Sequence, residues 1–165
     1  VSSGIVHHYF ADKDDLLLST MRSLLADLRA DAVARLSTAA TPADRVNAVI
    51  DASFGDAQFE DGVFSVWLAL YGNARRSERL QRILILYHSR LHTNLLYNLR
   101  RLMTTGEAER TAEGIAAMVD GLWLRYALTG KPSDPDEPRS LTREYFAQCL
   151  ERSSRSARGG LRQAS

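Results

Sequence analysis

The sequence predicts an all-α protein, and three observations carry that prediction. Apolar residues recur at three- and four-residue steps over most of the 165 residues. No run shows the two-residue alternation of a half-buried strand. Pro42, Pro132, Pro135 and Pro138 all stand at or beside the joints between periodic segments. The composition agrees, with 45% hydrophobic and 25% charged residues, as in an ordinary soluble globular domain. At this length one domain is the default.

The first ten residues read as a short Ser-capped helix. Asp12 followed by Asp15 then supplies an N-cap and a first-turn carboxylate. Behind them Leu16, Leu17, Met21, Leu24, Leu25, Leu28, Ala32 and Leu36 form one stripe, which predicts a long helix over about 12–39. Thr41-Pro42 restarts the chain with a capping Thr and a Pro at the first helical position, and that helix runs to about Gly55. The stretch 59–75, dense in large side chains, predicts another, and 77–103 a further long one. Thr105-Gly106 breaks it before a helix over about 107–129, closed by Gly130. Residues 131–138 hold three prolines and read as a loop, and a last helix is expected over about 139–152. The Ser/Arg/Gly-rich segment 153–165 has little to bury and is expected to be disordered.

Charge and composition exclude several classes. No apolar run approaches the ~20 residues of a membrane-spanning helix, and the first apolar stretch is unlike a secretory leader. Cys149, the single cysteine, rules out an internal disulfide and a four-cysteine zinc site, so a reducing, cytoplasmic location is expected. A net charge of +1 supplies no bulk positive field, so any nucleic-acid contact must come from a local element. His88 and His92 have the i, i+4 spacing of metal ligands but lack the Glu of an H-E-x-x-H motif and any third ligand. They read as surface histidines. With no Gly-rich phosphate loop and no nucleophile motif, neither an enzyme nor a cofactor site is expected.

The segment Val1-Ser2-Ser3-Gly4-Ile5-Val6-His7-His8-Tyr9-Phe10, followed by Ala11-Asp12-Lys13-Asp14-Asp15-Leu16-Leu17, is the most informative. Small residues at Ser3 and Gly4 let a helix N-terminus approach another surface, and helix N-terminal amides favour anions. As bare chemistry this fits an ordinary helical hairpin better than a phosphate contact. The motif resembles the recognition helix, and the start of the following helix, of the TetR family of transcriptional regulators. Asp120-Gly121-Leu122-Trp123-Leu124-Arg125, Ala127-Leu128, Gly130-Lys131-Pro132, Ser140-Leu141-Thr142-Arg143, Trp67-Leu68-Ala69 and Asn94-Leu95 resemble the choline-sensing repressors of that family. The resemblance covers about residues 1–150.

It implies a TetR-like helical regulator: a truncated helix-turn-helix at 1–11, then a helical effector-binding and dimerisation domain at 12–152. By the same resemblance Ser2, Ser3 and Gly4 lie at the recognition-helix N-terminus. His7, Tyr9 and Lys13 then reach phosphate. The chain opens on Val1 in mid-motif and is expected to be a piece of a longer protein, because the two helices that precede the recognition helix in the family are not in it. Alone it is expected to bind operator DNA poorly, the intact protein binding as a homodimer.

The resemblance also implies choline or a relative as effector. A quaternary ammonium donates no N–H bond and needs aromatic faces, often with a carboxylate. Phe64, Trp67 and Tyr71 share one helical face, Asp120 and Trp123 share another, and Tyr87 and Phe54 can complete a box. The same spacing serves core packing, and Asp120 can instead pair with an Arg. Gly114 and Gly121, a heptad apart, with Leu141, Tyr145 and Phe146, suggest a partner-facing surface, with packing inside one subunit the alternative. The expected function is a ligand-responsive repressor of choline and glycine betaine metabolism. A regulator sensing another, lipophilic molecule and a dimeric helical interaction module without a DNA role are the alternatives.

Overall fold

Between Gly4 and Pro42 no proline or glycine interrupts the chain, and the first helix, α1, runs unbroken from Ser3 to Thr38. The computed structural model describes the backbone of residues 3–129 and 134–163 and the side chains of 13–129 and 134–158. The turn expected before Asp12 is therefore absent, since every residue of that stretch tolerates a helix and the local cap is overridden.

Five further helices follow: α2 (Pro42–Ser53), α3 (Asp61–Ala74), α4 (Glu78–Leu99), α5 (Thr105–Thr129) and α6 (Asp136–Gln163). A single 3₁₀ turn, Asp56–Phe59, joins α2 to α3, so Phe59 precedes the helix it was expected to open. Two reciprocal caps set the helix starts. Thr41 and Asp44 exchange hydrogen bonds of 3.0 and 3.1 Å at α2, and Thr104 and Glu107 bonds of 3.1 and 3.4 Å at α5.

The core is common to all six helices. Met21 of α1, Ile50 of α2, Leu70 of α3, Leu80, Leu95 and Leu99 of α4 and Ile115 of α5 are fully buried, and Phe146 adds the contribution of α6. Burying each such side chain contributes roughly 1.5–3 kcal/mol. Polar clamps fix the helices in place around it. Arg45 of α2 donates to Asn98 of α4 and to the Leu36 carbonyl of α1, both at 3.2 Å. Arg143 of α6 grips Asp51 of α2, with Nε 2.8 Å from Oδ1.

The last helix departs from expectation at both ends. It starts at Asp136 rather than Arg139, its Glu137 accepting the hydroxyl of Tyr126 on α5. It continues past Arg152 where a disordered tail was expected, because Ser153 is buried against α5 and donates to Glu107 at 3.1 Å. Gly130 and the loop residues 131–133 lie outside the described residues. Among the described residues no helix is long and apolar enough to cross a membrane.

Candidate effector site

Three helices bring four rings together. Trp67 and Tyr71, one turn apart on α3, stack with centroids 6.0 Å apart and planes 29° from parallel. Tyr87 reaches Trp67 from α4 at 4.8 Å. Trp123 closes the group from α5, 5.9 Å from Trp67 and 6.4 Å from Tyr71. These are the tilted and offset geometries aromatic pairs prefer. The Trp123 indole N–H donates to the Gln58 carbonyl of the 3₁₀ turn at 3.1 Å, which holds that ring in place. Trp67 has no hydrogen-bond acceptor among the described residues.

Asp120 enters the group one turn before Trp123. Its Oδ1 accepts a long bond from the Tyr71 hydroxyl at 3.5 Å. Its Oδ2 lies 3.0 Å from Nε2 of His88, close enough for an ion pair but without the alignment of a hydrogen bond. The two side chains are 33% and 41% exposed, so the pair sits at the rim rather than in the core. Burial, followed by the Asp120 charge, pushes both Tyr71 and Tyr87 well above the ordinary phenol range. The contact with Asp120 is the leading influence on His88 and raises its pKa, with burial opposing and the charges of Asp120 and Glu113 adding to the rise.

The rings and Asp120 wall a cavity of about 20 Å³, which Gln58 and Leu28 of α1 complete. That is the room of about one water molecule. Four aromatic faces around one carboxylate are the chemistry that holds a quaternary cation, but the rings touch one another and must part to admit it.

Of the residues proposed from the sequence for this site, Trp67, Tyr71, Tyr87, Asp120 and Trp123 converge. Phe64 stands behind them, its ring 5.1 Å from Trp123 and 5.6 Å from Phe59, and does not line the cavity. Phe54 is fully buried beside Phe59 and is a core residue, also off the cavity. Asp120 pairs with His88 and Tyr71 rather than with an Arg, a role for His88 that no spacing signals, since nothing in the sequence relates residue 88 to residue 120.

The residues suggested for a partner surface divide. A Cβ on Gly114 would lie 2.1 Å from the Tyr145 hydroxyl oxygen, so this glycine seats Tyr145 within one subunit. Phe146 is likewise buried in the chain's own core. Gly121 has nothing within 4 Å of a Cβ, and Leu141 is exposed together with Leu124 and Leu128. Ser2 lies outside the described residues, as do the side chains of Ser3, His7 and Tyr9, and Gly4 contributes only helical backbone. Lys13 lies on α1, ten residues after its start.

Comparison with known proteins identifies the family. Residues 42–151 match the family model of the C-terminal region of BetI-type transcriptional repressors, of the TetR class. The chain is 48% identical over 145 residues to the HTH-type transcriptional regulator BetI of Rhizobium meliloti, covering 88% of this chain and 71% of that protein. It is 44% identical to its counterpart in Agrobacterium fabrum, with the same coverage of both chains. Among solved structures, a transcriptional regulator of Rhodococcus sp. Rha1 superposes with a TM-score of 0.68 at 26% identity, over 92% of this chain and 80% of the other. One from Pseudomonas aeruginosa PAO1 shares the fold with a TM-score of 0.72 at 23% identity, over 92% and 76%.

Proposed function

This chain belongs to the BetI-type transcriptional repressors of the TetR family, and from that premise we propose that it is the effector-binding and dimerisation part of a repressor that answers a choline-like quaternary ammonium. The family is one of regulators and not of enzymes. Residues 1–11 are then the end of the DNA-binding unit, with Ser2, Ser3, Gly4, His7 and Tyr9 toward operator DNA and Lys13 of the following domain beside them. The domain that follows reads the effector in the cytoplasm.

The observation that carries the reading is the convergence of Trp67, Tyr71, Tyr87 and Trp123 on the Asp120 carboxylate. The rings meet a methylated ammonium with their negative faces, and the carboxylate supplies the counter-charge. A net cation such as choline is favoured over glycine betaine, whose own carboxylate the Asp120 charge repels. Because the cavity holds only about 20 Å³, the ligand binds a conformation in which the cage is wider. Differential affinity for the two conformations is what a population shift requires. The exposed stripe of Gly121, Leu124 and Leu128 on α5, with Leu141 on α6, supports a second copy docking across those helices.

Calorimetric titration of the chain with choline, glycine betaine and a bulkier tetraalkylammonium tests the reading. Saturable binding of about one choline per chain, tighter than glycine betaine and weakened in Trp67→Ala, is expected. Folded protein that gives no heat with choline overturns it, and so does undiminished binding by Trp67→Ala.

A further inference from the structure

Asp120 is shared. One oxygen faces Tyr71 inside the cage, and the other meets His88 at 3.0 Å from outside it. A single carboxylate therefore stands between the place of the effector cation and an imidazole that can itself be a cation. We propose that His88 is the built-in competitor of the effector, so that filling the cage drives a proton from His88 to solvent and effector affinity falls as pH falls. This rests on the quaternary-ammonium reading of the cage.

The groups around His88 make it the titrating member. Asp120 and Glu113 face it from α5, the Tyr87 ring lies 5.2 Å away on its own helix, and Tyr71 reaches it through Asp120 from α3. Both tyrosines stay neutral well beyond physiological pH, their hydroxyls being raised by burial and by Asp120. The two carboxylates hold the imidazolium. The side chain is 41% exposed, while its Nε2 is buried against Asp120. His92, one turn further on, lines a separate shallow groove with Glu109, Arg110 and Glu113, which makes it the control.

The sign follows from charge. Without effector, the Asp120 contact raises the His88 pKa from its ordinary value, so the imidazolium persists to higher pH. An effector cation beside the same carboxylate takes part of that stabilisation and repels the imidazolium, and the pKa drops. Each unit of that drop corresponds to about a tenfold loss of affinity once pH lies below both values.

The experiment is calorimetric titration of the chain with choline chloride at about pH 5.5, 7 and 8, in buffers of different ionisation enthalpy. The expected result is a buffer-dependent heat that reports proton release near neutrality, with affinity about tenfold weaker at the acid end. His88→Gln should lose both the release and the slope while His92→Gln keeps both. A buffer-independent heat with a flat affinity profile overturns the proposal, and so does a slope that survives in His88→Gln. Absence of choline binding at every pH overturns the cation site and the coupling together. A second measurement needs no effector: in an NMR titration of the imidazole protons, Asp120→Asn should lower the His88 pKa. An unchanged value there overturns the proposal even if choline binds.

Discussion

Replacing each tryptophan of the cage by phenylalanine isolates one hydrogen bond. Both rings are nearly buried, Trp67 at 4% and Trp123 at 6% exposure, and both are packed among aromatic neighbours. The loss of ring area is thus similar in the two variants. They differ at the indole nitrogen, since Trp123 donates to the Gln58 carbonyl at 3.1 Å and Trp67 donates to no described residue. Trp123→Phe leaves that carbonyl without its partner in a buried setting, at a cost of about 1–3 kcal/mol beyond the shared packing loss. For a chain of this size each kcal/mol moves the melting temperature by roughly 2–4 °C. Trp123→Phe should therefore melt about 2–12 °C below Trp67→Phe. Thermal unfolding followed by circular dichroism at one fixed protein concentration reads the difference, since dimerisation makes Tm concentration-dependent. Equal melting temperatures for the two variants refute the claim that the 3₁₀ turn holds Trp123 in place.

Other outcomes follow from the same geometry. Thr41→Ala removes one half of the capping box at α2 and should cost about 0.5–2 kcal/mol in urea unfolding, with Asp44→Ala close to it. Gly121→Ala meets nothing within 4 Å and gains about 1 kcal/mol of helix propensity in an isolated subunit, whereas Gly114→Ala drives a methyl into Tyr145. The second variant should come out about 1–3 kcal/mol less stable than the first. In sedimentation, Gly121→Ala should weaken self-association if the second copy packs on that face. The raised pKa of His88 means that its ion pair stabilises the fold fully below the ordinary histidine value and is lost as pH rises through the folded one. The Tm gap between wild type and His88→Gln should accordingly be wide near pH 5.5 and close above about pH 8. A gap that is constant with pH refutes the pairing.

The helices were legible because their stripes are long and regular, and Thr41-Pro42 marked a boundary the structure keeps to the residue. Elsewhere tertiary contact overrides local composition. Ser153 lies in a segment that looks soluble by composition, yet one buried hydroxyl reaching Glu107, 46 residues away, keeps α6 going. Within the cage, helical period puts Phe64, Trp67 and Tyr71 on one face, and the resemblance to choline-sensing repressors is what points that face at a ligand. Phe54 and Phe64 have the same aromatic character and face the core instead, a distinction set by the α2–α3 turn that no spacing records. His88 was invisible as a partner of Asp120 because their meeting depends on how α4 crosses α5. Gly114 and Gly121 look alike in the sequence and differ only in what Tyr145 does.

One wall of the cage belongs to α1, through Leu28. Lys13 stands on the same uninterrupted helix, about 22 Å nearer its start by the helical rise. The helix is held along that length, with Leu18 and Met21 in the core and Asp15 paired with Arg79 of α4, so a push at Leu28 reaches Lys13 through α1 and α4 moving together. A tilt of about 5° over that length displaces the Lys13 end by roughly 2 Å. In a symmetric pair the two tips move in mirrored senses, so the gap between them changes by up to twice that amount. On the function proposed above, the DNA helical repeat of about 34 Å is the fixed ruler against which the spacing of two such helices would be read.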